Sequence, residues 1–104
     1  MTTKVQKELS LPADLFDHVA PVLRVLGHPD RLRLVDLLLR REVPVSALAA
    51  ALGLAPNAVS QHLGKMLARG IVARRRRGKQ VYYRVVHPAA RSLLVCMRRN
   101  VGKL

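Results

Sequence analysis

The chain has 104 residues, half of them hydrophobic but only 3% aromatic, so it has room for one domain with a single core built from Leu, Val and Ala. All six acids (Glu8, Asp14, Asp17, Asp30, Asp36, Glu42) fall in the first 42 residues, against seven basic residues, whereas the rest carries twelve basic residues and no acid. With a formal net charge of +13, such a chain repels itself unless a polyanion neutralises it, and a phosphate backbone is the commonest such partner.

Residues 1–10 are polar and read as a flexible tail, leaving 11–104 as the single folded domain. From Asp14 to Leu26 the apolar positions Leu15, Val19, Val22, Leu23 and Leu26 recur at helical spacing, with Pro21 expected to kink or split the helix. Gly27 ends it, and Pro29 suits the first turn of a second helix, Asp30 to Arg40, whose leucines and valine cover most sides and mark it as the central core helix. Val43-Pro44-Val45 is long enough for one β-bridge only.

Ser46–Leu52 is then an Ala-rich helix stopped by Gly53, and Pro56 opens another that runs to about Arg69. Two short helices joined through Gly and a three-residue turn spell a helix-turn-helix. Ile71–Ala73 and Val81–Val86 are β-branched and aromatic, a hairpin whose expected tip is Arg75-Arg76-Arg77-Gly78-Lys79. A last helix begins at Pro88, with Ala90, Leu93, Leu94, Met97 and Val101 forming an apolar stripe that a monomer would leave largely wet. The fold class is therefore mainly α with a small β-hairpin.

In a helix-turn-helix the amino-terminal half of the second helix enters the major groove. Asn57, Ser60 and Gln61 lie at i, i+3 and i+4, beside Pro56, and their amides and hydroxyl suit base edges or phosphates. Val59 and Leu63 face the core. Lys65 and Arg69 continue one and two turns beyond Gln61, placed for phosphates, and Arg31 is a further phosphate candidate that could equally pair with Asp30 or Asp36. Arg75, Arg76, Arg77 and Lys79 on the hairpin are candidates for phosphate or minor-groove contact. An ordinary solvated surface is the bland alternative for each of these groups.

Four segments, in order, resemble the ArsR/SmtB family of winged-helix repressors. Leu26-Gly27-His28-Pro29-Asp30-Arg31-Leu32-Arg33-Leu34 is similar to the family's lead into its second helix. Val45-Ser46-Ala47-Leu48-Ala49 resembles the start of its third, Val59-Ser60-Gln61-His62-Leu63 its recognition-helix core, and Val81-Tyr82-Tyr83-Arg84-Val85 the returning strand of its wing. The resemblance implies five helices plus a two-stranded wing and a homodimer formed by the first and last helices, here through Leu15, Val19, Val22, Leu93, Leu94 and Met97. It also implies binding of double-stranded DNA at an imperfect palindrome. Ala55 departs from the pattern, standing where a Ser or Asp N-cap is common.

Many members sense metals through Cys pairs on the third helix or Asp/His and His/Glu pairs on the last, and neither set is present. His18, His28, His62 and His87 stand at no ligand spacing, so no metal and no cofactor is expected. Cys96, the only cysteine, is the remaining candidate for a redox switch, with Arg98-Arg99 nearby to lower its thiol pKa; a small buried residue in the dimer interface is the plainer reading.

An enzyme is not expected, since no carboxylate follows Glu42 and no nucleophile–base set or phosphate-cradling glycine loop is present. The rival function is a low-specificity architectural DNA-binding protein. RNA binding is disfavoured by the lack of interleaved aromatics, with only Phe16, Tyr82 and Tyr83 in the chain. The absence of an opening apolar stretch or a long apolar run leads to the expectation of a cytoplasmic location and no membrane partner.

Overall fold

The computed structural model describes residues 3–104; Met1 and Thr2 of the expected tail lie outside the described residues. The elements run α1 (Ala13–Leu26), α2 (Pro29–Arg40), α3 (Val45–Leu52), α4 (Pro56–Ala68), β1 (Val72–Arg77), β2 (Gln80–Val85) and α5 (Pro88–Arg99). Single 3-10 turns at Gln6–Glu8 and Val101–Lys103 flank them. This is a winged helix-turn-helix with five helices and a two-stranded wing.

Local chemistry explains where α3 and α4 stop and how α2 and α5 start. α3 ends at Gly53, whose φ of 66° lets the Leu54 N–H turn back onto the Ala49 carbonyl at 2.9 Å. α4 closes in the same way at Gly70, with Ile71 N–H bonding the Met66 carbonyl at 2.9 Å. His28 and His87 cap α2 and α5, each Nδ1 accepting from a backbone N–H two residues on, at 3.1 Å. α4 has no such cap, because Ala55 offers no side-chain acceptor.

Pro21 does not split α1, which runs through it. The ring removes one helix hydrogen bond, but Val22 and Leu26 beyond it are buried, and burying two such side chains contributes about 1.5–3 kcal/mol each. Packing holds the second half of α1 where propensity alone would release it.

The core follows the sequence pattern. Leu34, Val35 and Leu38 of α2 lie at its centre, met by Leu48 of α3, Val59, Leu63 and Met66 of α4, Ile71 and Val72 at the start of the wing, and Ala90 and Leu94 of α5. Residue 44 makes the single expected bridge, Pro44 to Tyr82.

The hairpin departs from expectation in one respect. All four arginines, Arg74 to Arg77, belong to β1, and the loop is only Gly78-Lys79, with Gly78 at φ 62°. Pairing of Arg74 with Tyr83, Arg75 with Tyr82, Arg76 with Val81 and Arg77 with Gln80 supplies strand hydrogen bonds to a stretch that composition alone marks as loop. A two-residue connection opening on a glycine with positive φ matches the twist of such a ribbon.

Candidate nucleic-acid interface

α4 is polarised across its axis. Val59, Leu63 and Met66 are essentially inaccessible, while Pro56, Asn57, Ser60, Gln61 and Lys65 are exposed on the other side. The predicted reading stripe is thus brought together on one open face. Arg69 is also exposed, at the C-cap of the helix.

Arg31 is placed differently from the sequence expectation. It is half-buried, and its guanidinium turns inward: Nε–H donates to His62 Nδ1 at 3.1 Å and NH1 to the Val25 carbonyl at 2.9 Å. One side chain therefore ties α1, α2 and the recognition helix together. The expected ion-pair partner also differs, since Asp30 bonds Arg33 at 2.7 Å and Asp36 bonds Arg98 of α5 at 2.7 Å.

The histidines correct a second reading. His28 and His62, 34 residues apart in sequence, meet with ring centroids 4.6 Å apart. With Asp30 they bring candidate ligand atoms within 4.8 Å of one another, a grouping that sequence spacing did not reveal. Each imidazole already accepts a hydrogen bond at Nδ1, from Asp30 N–H and Arg31 Nε–H respectively. That assignment leaves the ring proton on Nε2, so neither Nε2 offers a lone pair unless its Nδ1 bond is surrendered. Burial pushes the His62 pKa below its usual value, helped by the repulsion that protons on the adjacent His28 and His62 rings would exert on each other and by the Arg31 guanidinium; Asp30 opposes and Lys65 adds a further push. The neutral ring is what the Arg31 bond requires.

Strand alternation divides the wing arginines. Val72, Arg74 and Arg76 share a face with their partners Val85, Tyr83 and Val81, and this face packs toward α4. Arg75 and Arg77 project from the reverse face with Tyr82. Arg77 is held there: NH1 donates to Glu42 at 2.8 Å, and the guanidinium stands 5.1 Å from the Tyr82 ring centre. Lys79, in the loop, is exposed.

Between α4 and the wing lies an open concavity of about 530 Å³, lined by Ser60, Gly64, Arg74, Lys79 and Gln80, with Leu63 and Tyr83 on its apolar side. Arg74 was not among the arginines singled out from sequence, yet it stands across from the recognition helix. The signal was available in the period-two step from Val72, which the hairpin turns toward the core. Gly64, inside α4, also lines this space; a Cβ added there would meet nothing within 4 Å. A helix-interior glycine costs about 1 kcal/mol relative to alanine.

The dimerisation set divides by burial. Val22 and Leu94, expected at an interface, are buried in the chain's own core at 5% and 3% exposure. Leu15, Val19, Leu93 and Met97 remain at least partly open, joined by Phe16 and Leu23 on α1 and Val95 on α5. Cys96 is exposed, with the Asn100 amide 3.7 Å from Sγ.

A helix-turn-helix domain family matches residues 26–75, the span from the end of α1 into the wing. The chain is 41% identical to the nodulation protein NolR of Rhizobium meliloti over 64 residues, 62% of this chain and 52% of that protein, so it spans about half the length of that relative. It is 38% identical over 78 residues to the biofilm growth-associated repressor of Xylella fastidiosa (strain Temecula1), covering 75% of this chain and 68% of the repressor. The homodimeric winged helix-turn-helix DNA-binding domain of an ArsR-family candidate from Mycobacterium bovis superposes with a TM-score of 0.75 at 30% identity, covering 92% of this chain and 89% of that one.

The chain belongs to the ArsR/SmtB family.

It is accordingly a DNA-binding transcriptional regulator and not an enzyme. Family membership gives α4 its role as recognition helix and the β1–β2 ribbon its role as wing. No helix among the described residues is long and apolar enough to cross a membrane.

Proposed function

We propose that the chain is a cytoplasmic homodimeric repressor that binds an imperfect palindrome in duplex DNA, one recognition helix to each half-site. The observation that carries this reading is the exposed stripe Pro56, Asn57, Ser60, Gln61 and Lys65, set on a helix whose opposite side is locked into the core. Asn57 and Gln61 present amides suited to adenine, Ser60 suits a base or a phosphate, and Lys65 with Arg69 suits the flanking backbone. Arg75, Arg76 and Lys79 of the wing extend the positive surface, while Arg31 and Arg77 act mainly within the protomer. The reading needs no cofactor and no metal.

The homodimer is supported by surface that one protomer leaves uncovered. The accessible area is 7537 Å², against about 5,800 Å² for a folded monomer of this mass. Apolar groups contribute to the surplus along α1 and α5, where Leu15, Phe16, Leu23 and Val95 are exposed and Leu93 and Met97 half-covered. A two-fold arrangement of recognition helices requires half-sites about 34–36 Å apart, or a multiple of that spacing.

The deciding experiment is a footprint on the DNA upstream of the chain's own gene, followed by competition of the protected site against random duplex at 150 mM salt. A sequence-specific repressor favours its site more than about 10³-fold. A preference below about tenfold would assign the chain to low-specificity architectural binding instead.

A further inference from the structure

Gly64 has no task within the protomer. Its backbone is ordinary right-handed helix, no side chain approaches the position where its Cβ would stand, and alanine would serve the helix better. It lies at i+7 from Asn57 and i+4 from Ser60, so it continues the reading stripe one turn further and opens onto the trough between α4 and the wing. Glycine is the residue that lets an outside group approach a backbone closely.

The trough has the chemistry of an anion seat. Arg74 and Lys79 line it together with the Ser60 hydroxyl, and no acidic residue does. The side chains of Ser60, Arg74 and Lys79 make no hydrogen bond or ion pair with another described residue, in contrast to Arg31 and Arg77. The trough is open, as a passing strand needs.

We propose that this trough seats the sugar–phosphate strand flanking the major groove. One phosphate would be drawn against the Gly64 backbone and held by Ser60, Arg74 and Lys79. The inference rests on the DNA-binding reading above and deepens it. Arg74 and Gly64 join the interface, and the strand's path between recognition helix and wing is fixed by the one place on α4 where a side chain is missing.

The test uses the full chain with Gly64→Ala, Gly64→Gln and Arg74→Gln, and with Arg24→Gln, an exposed position on α1, as a control. Gly64→Ala is expected to raise Tm by about 4 °C while weakening operator binding at least threefold. Gly64→Gln is expected to weaken it at least tenfold without loss of fold. Arg74→Gln is expected to make the log–log salt slope shallower by about 2 per dimer, and Arg24→Gln to leave it unchanged. Wild-type affinity in both Gly64 variants overturns the inference and leaves the DNA-binding reading standing. A fall in Tm together with affinity also overturns it, since the glycine would then serve the fold. Failure of the wild-type chain to bind any duplex overturns both.

Discussion

Protonation of His62 distinguishes the folded from the unfolded chain. Unfolded, the ring titrates near 6.5; folded, burial first, then repulsion between the paired His28 and His62 rings and from Arg31, lower its pKa, with Asp30 opposing and Lys65 adding to the shift. Arg33 acts at one remove by bonding Asp30. Between the two pKa values the unfolded state therefore binds more protons, and stability rises with pH. The contribution of His62 is complete above about pH 6.5 and is lost as the pH falls through its lowered folded value. Urea midpoints at pH 7.5 and 5.5 should separate more in the wild type than in His62→Gln; equal separations would show that the ring is not the group titrating. Arg31, the donor to this ring, gives a companion prediction. Arg31→Gln should destabilise the fold by about 1–3 kcal/mol through loss of its charge-assisted bonds, seen as a lower urea midpoint. The salt slope of DNA binding should stay as it was, whereas a phosphate-contacting arginine would make it shallower.

Among the elements, α4 has the most obvious room for improvement. Its N-cap, Ala55, has the extended backbone of a cap (φ −67°, ψ 141°) but no acceptor for the free N–H groups of the first turn. Ala55→Ser supplies one and should stabilise the protein by about 1 kcal/mol, raising Tm by roughly 4–8 °C for a domain of this size; an unchanged thermal midpoint would mean that solvent already satisfies those groups. The absence of that cap was legible in the sequence, as were the helix ends, because Gly53, Gly70, Pro29, Pro56 and Pro88 act locally. The wing was less legible. Arg74–Arg77 looks like loop by composition and becomes strand only through partners at Gln80–Tyr83, a pairing that local propensity does not contain. The same limit hid the contact of Arg31 with His62, 31 residues away, and the meeting of His28 with His62. Spacing rules find ligands and partners on one element, whereas these groups lie on two. On the terminal helices periodicity found the apolar stripes, but it did not divide them between own core (Val22, Leu94) and open face (Leu15, Met97).

At the scale of the whole molecule, charge and shape lead to the same experiment. The protomer is 55 × 32 × 20 Å with a radius of gyration of 16.3 Å, against about 13 Å for a compact domain of this length. Its positive charge lies overwhelmingly after Glu42, on α4, the wing and α5, while the exposed apolar groups of α1 and α5 are left for a partner. If each protomer neutralises about four phosphates, the dimer displaces counterions from about eight, and log affinity for the operator should fall against log salt with a slope near −7. Fluorescence anisotropy between 50 and 300 mM salt measures this directly, and a slope shallower than about −3 would remove the wing from the interface. A charge placed on the open apolar face separates dimerisation from DNA contact. Leu15→Glu leaves every basic residue in place, yet the monomer it favours should bind with about half the wild-type slope and with the loss of affinity that follows from presenting one recognition helix instead of two. A full slope in a variant shown by sedimentation to be monomeric would mean that a single protomer carries all the phosphate contacts, and the two-fold arrangement would have to be abandoned.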